Sequence, residues 1–313
     1  MALHEFDLIR RFFTGIGGDS PRIALGAGDD CALLDPSPGA HLAISTDTLV
    51  EGVHFPAACD PEALAGRALR VNLSDLAAMG AEPLGFQLAL TLPSADEAWL
   101  AAFSRGLARD AGEFRCPLIG GDTTRGPLAI TLTVLGSVPV GTALRRGGAR
   151  AGDLLYVTGT LGDARGALDM PGSEGYLAER YWRPEPRLVA GRLLREFASA
   201  ALDVSDGLAQ DAGHIAAASG LGCRIETDRL PLSAALVAAF GRALATRHAL
   251  AGGDDYELCF SVPPARADAM EAALAAAGEP VTRIGAVVSG AGVACVDGDG
   301  HPVTLERSGY AHF

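Results

Sequence analysis

The stretch that decides the fold is AISTDTLVEGVHF, residues 43–55. It begins as an apolar β-strand and then places Asp47, Glu51 and His54 close together. A strand that becomes acidic where it ends is typical of an α/β sheet whose strand ends bind a polar ligand. Further along the chain the same order recurs, with a strand, then acidic residues, then a helix.

Apolar strands and helices alternate through most of the sequence. Asp60 and Pro61 predict the start of a helix that runs to about Met79, since Asp is a favoured N-cap and Pro a favoured first helical residue. Two more helices are predicted at residues 4–13 and 95–112. Further strands are predicted at LGFQLALTL, CPLIGGD, LAITLTVLGSV, DLLYVTG, ALDVSD, YELCFSV and VTRIGAVV. This alternation predicts an α/β fold.

A boundary between two domains is predicted at PVGTALRRGGARAG, residues 139–152. This segment is rich in Gly and Arg and poor in large apolar residues. The predicted domains are residues 1–138 and 139–313. A chain of 313 residues fits two domains, since one domain has about 150 residues.

Composition excludes several classes of protein. The net charge of −13 argues against nucleic-acid binding, because an acidic surface repels phosphate backbones. The chain contains no lysine, so all 25 basic residues are arginines. P-loop kinases, protein kinases and Schiff-base enzymes each need a lysine and are therefore excluded.

The cysteines and the hydropathy indicate a soluble cytoplasmic protein. The six cysteines lie far apart, so there is no CxxC metal or redox motif. The first residues, MALHEFDLIRRFF, contain acids and lack the apolar segment of a signal peptide. No apolar run reaches the roughly 18 residues of a membrane span, so no contact with a membrane is expected.

Carboxylates follow predicted strands or Gly-rich loops throughout the chain. They are Asp29, Asp30, Asp47, Asp122, Asp203, Asp206, Asp254 and Asp255, and Asp75 adds a carboxylate inside an apolar helix. Each strand-end Asp alone fits a turn or a cap, but the set fits Mg²⁺, which prefers oxygen ligands and bridges to phosphates. Gly120, Gly121 and the loop around Gly26 and Gly28 would let the backbone approach those phosphates.

The ordered set of motifs resembles the thiamine-monophosphate kinase family, within the aminoimidazole-ribonucleotide-synthetase-like superfamily. The motifs are GDD at 28–30, STDTLVEGVHF at 45–55, NLSDLAAMGAEP at 72–83, GGDTT at 120–124, DVSDGL at 203–208 and GGDDYEL at 252–258. The resemblance extends from the N-terminal helix to the closing GYAHF. It implies two α/β domains, with N-terminal mixed sheets that pair across a homodimer and a C-terminal α/β domain.

The same resemblance implies a reaction and a set of site residues. ATP would phosphorylate thiamine phosphate to thiamine diphosphate, with ATP sites near the subunit interface. Mg²⁺ would be held by Asp30, Ser45, Thr46, Asp47, Asp75, Asp122, Asp203 and Asp206. ATP would contact Gly121, Asp122, Arg146 and Ser205, and thiamine phosphate would contact His54, Asp254 and Tyr310.

Two positions leave alternatives open. Position 254 is often Glu in the family, so the contact of the shorter Asp254 could pass through water or be absent. The aromatic residue that stacks on the substrate could be Phe313 instead of Tyr310. The competing functions are a sister ATP-using enzyme of the superfamily and a non-catalytic nucleotide-binding regulator.

The expected chemistry needs no general base. The nucleophile is the phosphate of thiamine phosphate, which is largely ionised at neutral pH because its second pKa is about 6. Catalysis then consists of positioning and of neutralising charge, which Mg²⁺ and Arg146 would provide. Tyr310 suits the thiazolium cation through a cation–π contact. We expect direct in-line transfer without a phosphoenzyme.

Overall fold

The computed structural model describes residues 5–26, 31–172 and 174–310. The chain divides into two compact units: Met1–Leu76 with Ala81–Val140, and Ala77–Gly80 with Gly141–Phe313. The functional division into residues 1–138 and 139–313 stays a prediction. Four residues named in the sequence analysis lie outside the described residues: Gly28, Asp29, Asp30 and Phe313.

The described part of the first unit contains nine regular elements. They are α1 (Glu5–Phe12), β1 (Ile23–Leu25), β2 (Leu33–Leu34), β3 (Ala40–Val50), α2 (Pro61–Ala78), β4 (Glu82–Leu92), α3 (Glu97–Glu113), β5 (Leu118–Arg125) and β6 (Ala129–Pro139). The last two residues of α2 belong to the second unit. The predicted N-cap of α2 is confirmed, because the Asp60 carboxylate accepts hydrogen bonds from the N–H groups of Glu62 and Ala63 at 3.2 and 3.3 Å.

Four strands of this unit form one mixed sheet in the order β3-β6-β4-β5. β4 and β5 are parallel, whereas β6 is antiparallel to both β3 and β4. The predicted mixed sheet is thereby confirmed, with β3 and β5 at its two edges. The prediction that Asp47 and Asp122 end their strands is wrong. Both strands continue for three residues, because Asp47 pairs with Leu132 in β6 and Asp122 with Ala89 in β4.

The two faces of this sheet differ in polarity. Residues of β6 alternate between buried and half-buried, as in a strand with one covered face. α2 packs on the covered face, where Leu76 lies against Gly136. The other face exposes Ile44, with 60% of its surface accessible, and Leu42, with 42%. The first unit therefore has an open sheet face with exposed apolar side chains.

The second unit is longer and has a larger sheet. Its elements are β7 (Leu154–Thr158), α4 (Asp163–Leu168), α5 (Tyr176–Trp182), α6 (Leu188–Leu194), β8 (Ala200–Asp203), α7 (Leu208–Ser219), β9 (Gly222–Glu226), α8 (Ala234–Ala251), β10 (Leu258–Val262), α9 (Ala267–Ala276), β11 (Val281–Val288) and β12 (Gly292–Val296). Short 3-10 turns lie at Thr227–Arg229 and Pro264–Arg266. α8 is interrupted at Gly241, whose φ of 70° is left-handed.

The sheet of the second unit has the strand order β12-β9-β11-β7-β10-β8. Only its β12–β9 pair is parallel among the described strands. Successive residues of β7 pack into different cores, with Leu155 and Val157 on one side and Tyr156 on the other. Both faces of this sheet are therefore covered, which explains the continuous apolar runs in its sequence.

The α/β class predicted from the sequence is confirmed by these elements. The predicted strands and helices are present with ends shifted by a few residues, and the prediction lacks β1, β9 and β12. In the part of the chain that the structure describes, no helix has the length and apolar character needed to cross a bilayer.

Candidate functional site

Ser45, Asp47 and Asp75 come together where β3 meets α2. Ser45 and Asp47 are two residues apart on β3, so their side chains lie on the same face of the strand. The Ser45 hydroxyl donates a hydrogen bond to Asp75 Oδ2 at 2.5 Å. Asp75 is only half-buried, whereas the rest of α2 from Leu64 to Ala78 is buried. The helix therefore opens to solvent where its carboxylate faces β3.

Asn72, one turn before Asp75 on α2, fixes the backbone of β3 at this point. Its side-chain oxygen accepts a hydrogen bond from the Asp47 N–H at 3.1 Å, and its amide donates to the Ala68 carbonyl at 2.9 Å. Asn72 is fully buried. The sequence analysis missed this residue, although its place three residues before Asp75 puts it on the same side of the helix.

Two negative charges, those of Asp47 and Asp75, lie close together at this site. Surrounding protein removes water from the Asp47 carboxylate, and the negative charge of Asp75 lies nearby, so the pKa of Asp47 rises to about 6. Two carboxylates and a hydroxyl form an oxygen-only donor set, which suits a hard divalent cation. The residues present therefore fit Mg²⁺.

Thr46 points to the opposite face of β3. Its hydroxyl shares a hydrogen bond of 2.9 Å with the hydroxyl of Thr133 in β6. The side chain of Thr46 therefore does not join Ser45, Asp47 and Asp75. An oxygen ligand from Thr46 to the same ion would have to be its main-chain carbonyl.

Asp122 is not brought to Asp47 within one chain. It lies on the edge strand β5, while Asp47 lies on the other edge, three strands away. At about 4.8 Å between strands, this separates the two backbones by roughly 14 Å. The residue before Asp122, Gly121, must be a glycine, since its φ is 149° and a Cβ there would lie 1.9 Å from the Leu88 carbonyl oxygen.

His54 lies in the turn that follows β3. The ring Nδ1 accepts a hydrogen bond from the Val50 N–H at 3.0 Å, and the main-chain N–H of His54 donates to the Val50 carbonyl at 2.9 Å. The ring is half-buried and held by these contacts.

Four predicted site residues of the second unit gather at the turn after β8. The Asp254 N–H donates to the Ser205 carbonyl at 2.8 Å, and the Tyr310 N–H donates to the Asp206 carbonyl at 2.9 Å. Gln210 links Asp206 to Tyr310, because its amide donates to Asp206 Oδ2 at 2.9 Å and to the Tyr310 carbonyl at 3.1 Å. Tyr310 is thereby held beside Asp206.

Asp203 and Arg146 lie at β8, before this turn. Asp203 is the last residue of the strand and is 8% exposed. Arg146 is exposed, and the carbonyl of the preceding Arg145 accepts a hydrogen bond from the Ala201 N–H at 2.9 Å. The backbone is thus held at Arg145, immediately before the exposed Arg146.

Two acids of the GGDDYEL motif have structural partners that the sequence analysis did not predict. Both oxygens of the buried Asp255 accept the Gly162 N–H at 2.9 Å, and burial raises the pKa of Asp255 well above its usual range. Glu257 is fully buried and forms ion pairs of 2.6 Å with both Arg180 and Arg187. Asp255 and Glu257 are two residues apart, and this alternate spacing is the sequence signal that would have separated the two buried acids from Asp254.

Comparison with known proteins identifies both units. Residues 28–138 match the AIR synthase related protein N-terminal domain, and residues 150–298 match the C-terminal domain of the same family. The chain is 49% identical, over its full length and 99% of the relative, to thiamine-monophosphate kinase of Escherichia coli K12.

Two solved structures of relatives cover most of the chain. The crystal structure of thiamine-monophosphate kinase from Stenotrophomonas maltophilia K279a superposes with a TM-score of 0.88 at 45% identity, over 97% of this chain and 99% of the other. AaThiL complexed with AMPPCP and TMP has a TM-score of 0.79 at 32% identity, over 88% and 89% of the two chains. The chain therefore belongs to the thiamine-monophosphate kinase family.

Proposed function

We propose that this protein uses ATP to phosphorylate thiamine phosphate, giving thiamine diphosphate and ADP. The observation that carries the proposal is the 49% identity, over the whole chain, to a kinase named for that substrate. A relative in complex with AMPPCP and TMP supports an ATP site and a thiamine phosphate site. ADP release that depends on thiamine phosphate would support the proposal. Nucleotide binding without such release would indicate the regulator instead.

Mg²⁺ would be held in the first unit by Ser45, Asp47 and Asp75. The bound ion would neutralise phosphate charge, a role that the lysine-free chain leaves to metals and arginines. The other proposed ligands are Asp30, Thr46, Asp122, Asp203 and Asp206. We expect activity to disappear with EDTA and to return when Mg²⁺ is added in excess.

The nucleotide would be bound by backbone and by one arginine. The exposed guanidinium of Arg146 has the planar fork that binds phosphate through two hydrogen bonds. Gly121 leaves the backbone of β5 open to a phosphate, and Asp122 and Ser205 would complete the ATP contacts. This assignment predicts that Arg146→Lys keeps the charge but loses most of the affinity for ATP.

Thiamine phosphate would contact His54, Asp254 and Tyr310. The aromatic face of Tyr310, which is 43% exposed, suits the thiazolium cation. Asp254 adds a negative charge for the same cation. The substrate phosphate is the nucleophile and is largely ionised at neutral pH, since its second pKa is about 6. No residue of the chain therefore needs to remove a proton.

Transfer would be direct and in line, without a phosphoenzyme. Positioning and charge neutralisation suffice for phosphoryl transfer, since little covalent chemistry falls to the protein. After a single turnover with γ-labelled ATP, we expect the label in thiamine diphosphate and none on the isolated protein. Stable label on the protein would contradict direct transfer.

A homodimer would cover the open sheet face of the first unit. Ile44 pairs with Leu135 across β3 and β6, and the exposed Leu42 lies beside Ile44 on the same strand face. Exposed apolar side chains on a broad, flat sheet are typical of a protein interface. Replacing Ile44 by Glu would give a monomer in sedimentation. Leu244→Glu is the control, since Leu244 of α8 is also 41% exposed but lies outside that sheet.

Pairing of two sheets would also explain why Asp122 and Asp47 lie on opposite edges. A two-fold axis along the strands places β5 of one copy against β3 of its partner. Along these adjoining strand edges Asp122 would lie near Asp47 of the partner subunit, and the two carboxylates would share a metal site there. In this arrangement neither chain holds a full site alone.

Mixed dimers test this arrangement. Asp47→Asn and Asp122→Asn should each lower turnover by at least ~100-fold, because each removes a metal-bound charge. When the two inactive variants are unfolded together and refolded, about a quarter of wild-type activity should return, since half of the dimers are mixed and hold one intact site. No recovery would place both carboxylates in the same subunit's site.

A further inference from the structure

The segment from Asp254 to Glu257 has an unusual backbone. Asp254 has a φ of 64° and Tyr256 a φ of 53°. Among the described residues, only Ala58 and Arg115 are other non-glycine residues with positive φ. Left-handed conformations cost non-glycine residues about 1 kcal/mol or more, so surrounding contacts must maintain them.

The inward side of the segment supplies part of those contacts. The buried Asp255 carboxylate accepts the Gly162 N–H, and the buried Glu257 carboxylate is bound by Arg180 and Arg187 at 2.6 Å. Glu257 also accepts a hydrogen bond from the Thr158 hydroxyl at 2.6 Å. These contacts fix every second residue of the segment.

The backbone of the segment is also joined to the turn after β8. The Asp254 N–H donates to the Ser205 carbonyl and the Tyr256 N–H donates to the Val204 carbonyl, both at 2.8 Å. The Val204 N–H donates in return to the Glu257 carbonyl at 2.8 Å. The strained residues therefore lie at a fixed place beside Ser205, where the proposed ligand contacts of this unit gather.

The outward side carries Asp254 and Tyr256 as a pair. The Tyr256 hydroxyl donates a hydrogen bond to Asp254 Oδ1 at 3.1 Å. Both residues are half-buried, whereas Asp255 and Glu257 are buried. The two residues that form this side-chain hydrogen bond are also the two with left-handed backbone.

We propose that Tyr256 is a positioning residue that orients the Asp254 carboxylate for thiamine phosphate. The inference rests on the proposed contact between Asp254 and that substrate. A carboxylate attracts the thiazolium cation in any rotamer, but it accepts an N–H of the substrate's exocyclic amine only when its oxygens are correctly directed. The hydroxyl of Tyr256 fixes that direction, so it sets the affinity for thiamine phosphate and leaves ATP binding unaffected.

The test is the kinetics of Tyr256→Phe, which removes only the hydroxyl. We expect the KM for thiamine phosphate to rise about five- to tenfold, with kcat and the KM for ATP changed less than about twofold. Tyr156→Phe is the matched control, because the Tyr156 hydroxyl also donates to a carboxylate of this unit, Glu271, at 2.7 Å. That control should leave both KM values unchanged.

A double-mutant cycle with Asp254→Asn separates the two proposals. If Asp254 contacts the substrate and Tyr256 acts through it, Asp254→Asn raises the KM for thiamine phosphate, and adding Tyr256→Phe changes it less than about twofold further. A silent Tyr256→Phe beside an impaired Asp254→Asn overturns only the role of Tyr256. A silent Asp254→Asn overturns the substrate contact and the role of Tyr256 with it. A Tyr256→Phe protein that loses kcat, both affinities and thermal stability together would show a merely structural role and would also overturn the proposal.

Discussion

Two groups of carboxylates, one in each unit, have very different surroundings. In the first unit, Asp47 and Asp75 lie close enough for the charge of one to raise the pKa of the other, at a place open to solvent. In the second unit, Glu257 is fully buried and bound by two arginines. Two carboxylates that lie close together at a place open to solvent suit a metal ion, whereas a buried carboxylate already paired with arginines serves stability. Substitutions at the two places should therefore affect different properties.

The largest expected effect is on turnover, from Asp75→Asn. The amide keeps an acceptor for the Ser45 hydroxyl but loses the negative charge that would bind Mg²⁺. We expect kcat/KM to fall by about 100- to 1000-fold, with the melting temperature unchanged or slightly raised because repulsion from Asp47 is relieved. Steady-state ADP release and thermal unfolding measure the two quantities.

Asp60→Asn is the matched control for this change. Asp60 is also an aspartate at α2, since it is the N-cap of that helix, and Asn is an equally good N-cap. Both turnover and stability should stay close to wild type. If Asp75→Asn behaved like this control, Asp75 would not be a metal ligand.

The second prediction concerns the stability that Glu257 provides. Glu257→Gln leaves Arg180 and Arg187, whose side chains are only 13% and 12% exposed, without their full counter-charge. Breaking a buried ion pair costs about 3–5 kcal/mol, so the urea midpoint should fall substantially. Glu226→Gln is the control, because Glu226 also binds two arginines, Arg224 and Arg229, which are 50% and 54% exposed.

The control should lose at most about 1 kcal/mol, since surface ion pairs are screened by solvent. Equal losses in the two variants would show that burial does not distinguish the two glutamates. A loss of turnover in Glu257→Gln at temperatures where the protein stays folded would place Glu257 in the reaction and not only in the fold.

The sequence could predict which acids follow strands, but not whether each acid is a candidate metal ligand or a buried partner of arginines. Local patterns suffice for helices such as α2, because Asp60 and Pro61 mark its start. The order of strands depends on distant pairing, so the positions of Asp47 and Asp122 on opposite edges could not be inferred from neighbouring residues. Left-handed backbone at Asp254 and Tyr256 has no propensity signal either, since surrounding contacts impose it.

A smaller effect is expected for Ser45→Ala. The hydroxyl donates to Asp75 at 2.5 Å and is a proposed metal ligand. Without it, we expect about a tenfold higher Mg²⁺ concentration for half-maximal activity and little change in the rate at saturating Mg²⁺. A rate that falls equally at all Mg²⁺ concentrations would instead indicate a role in the transfer step.

The smallest effect is expected for Asp255→Asn, which tests a third kind of carboxylate. Burial raises the pKa of Asp255 well above its usual range, so the folded protein holds a proton that the unfolded chain releases. Its contribution to stability is therefore complete below the usual aspartate pKa of about 4 and is lost as pH rises towards the folded value. An amide still accepts the Gly162 N–H and does not titrate. We expect the variant to differ from wild type by less than about 1 kcal/mol near pH 4, and to become relatively more stable as pH increases. Urea unfolding of both proteins from pH 4 to pH 8 measures this difference, and a wild-type advantage that grows with pH would mean that Asp255 is ionised in the fold, as Glu257 is beside its arginines.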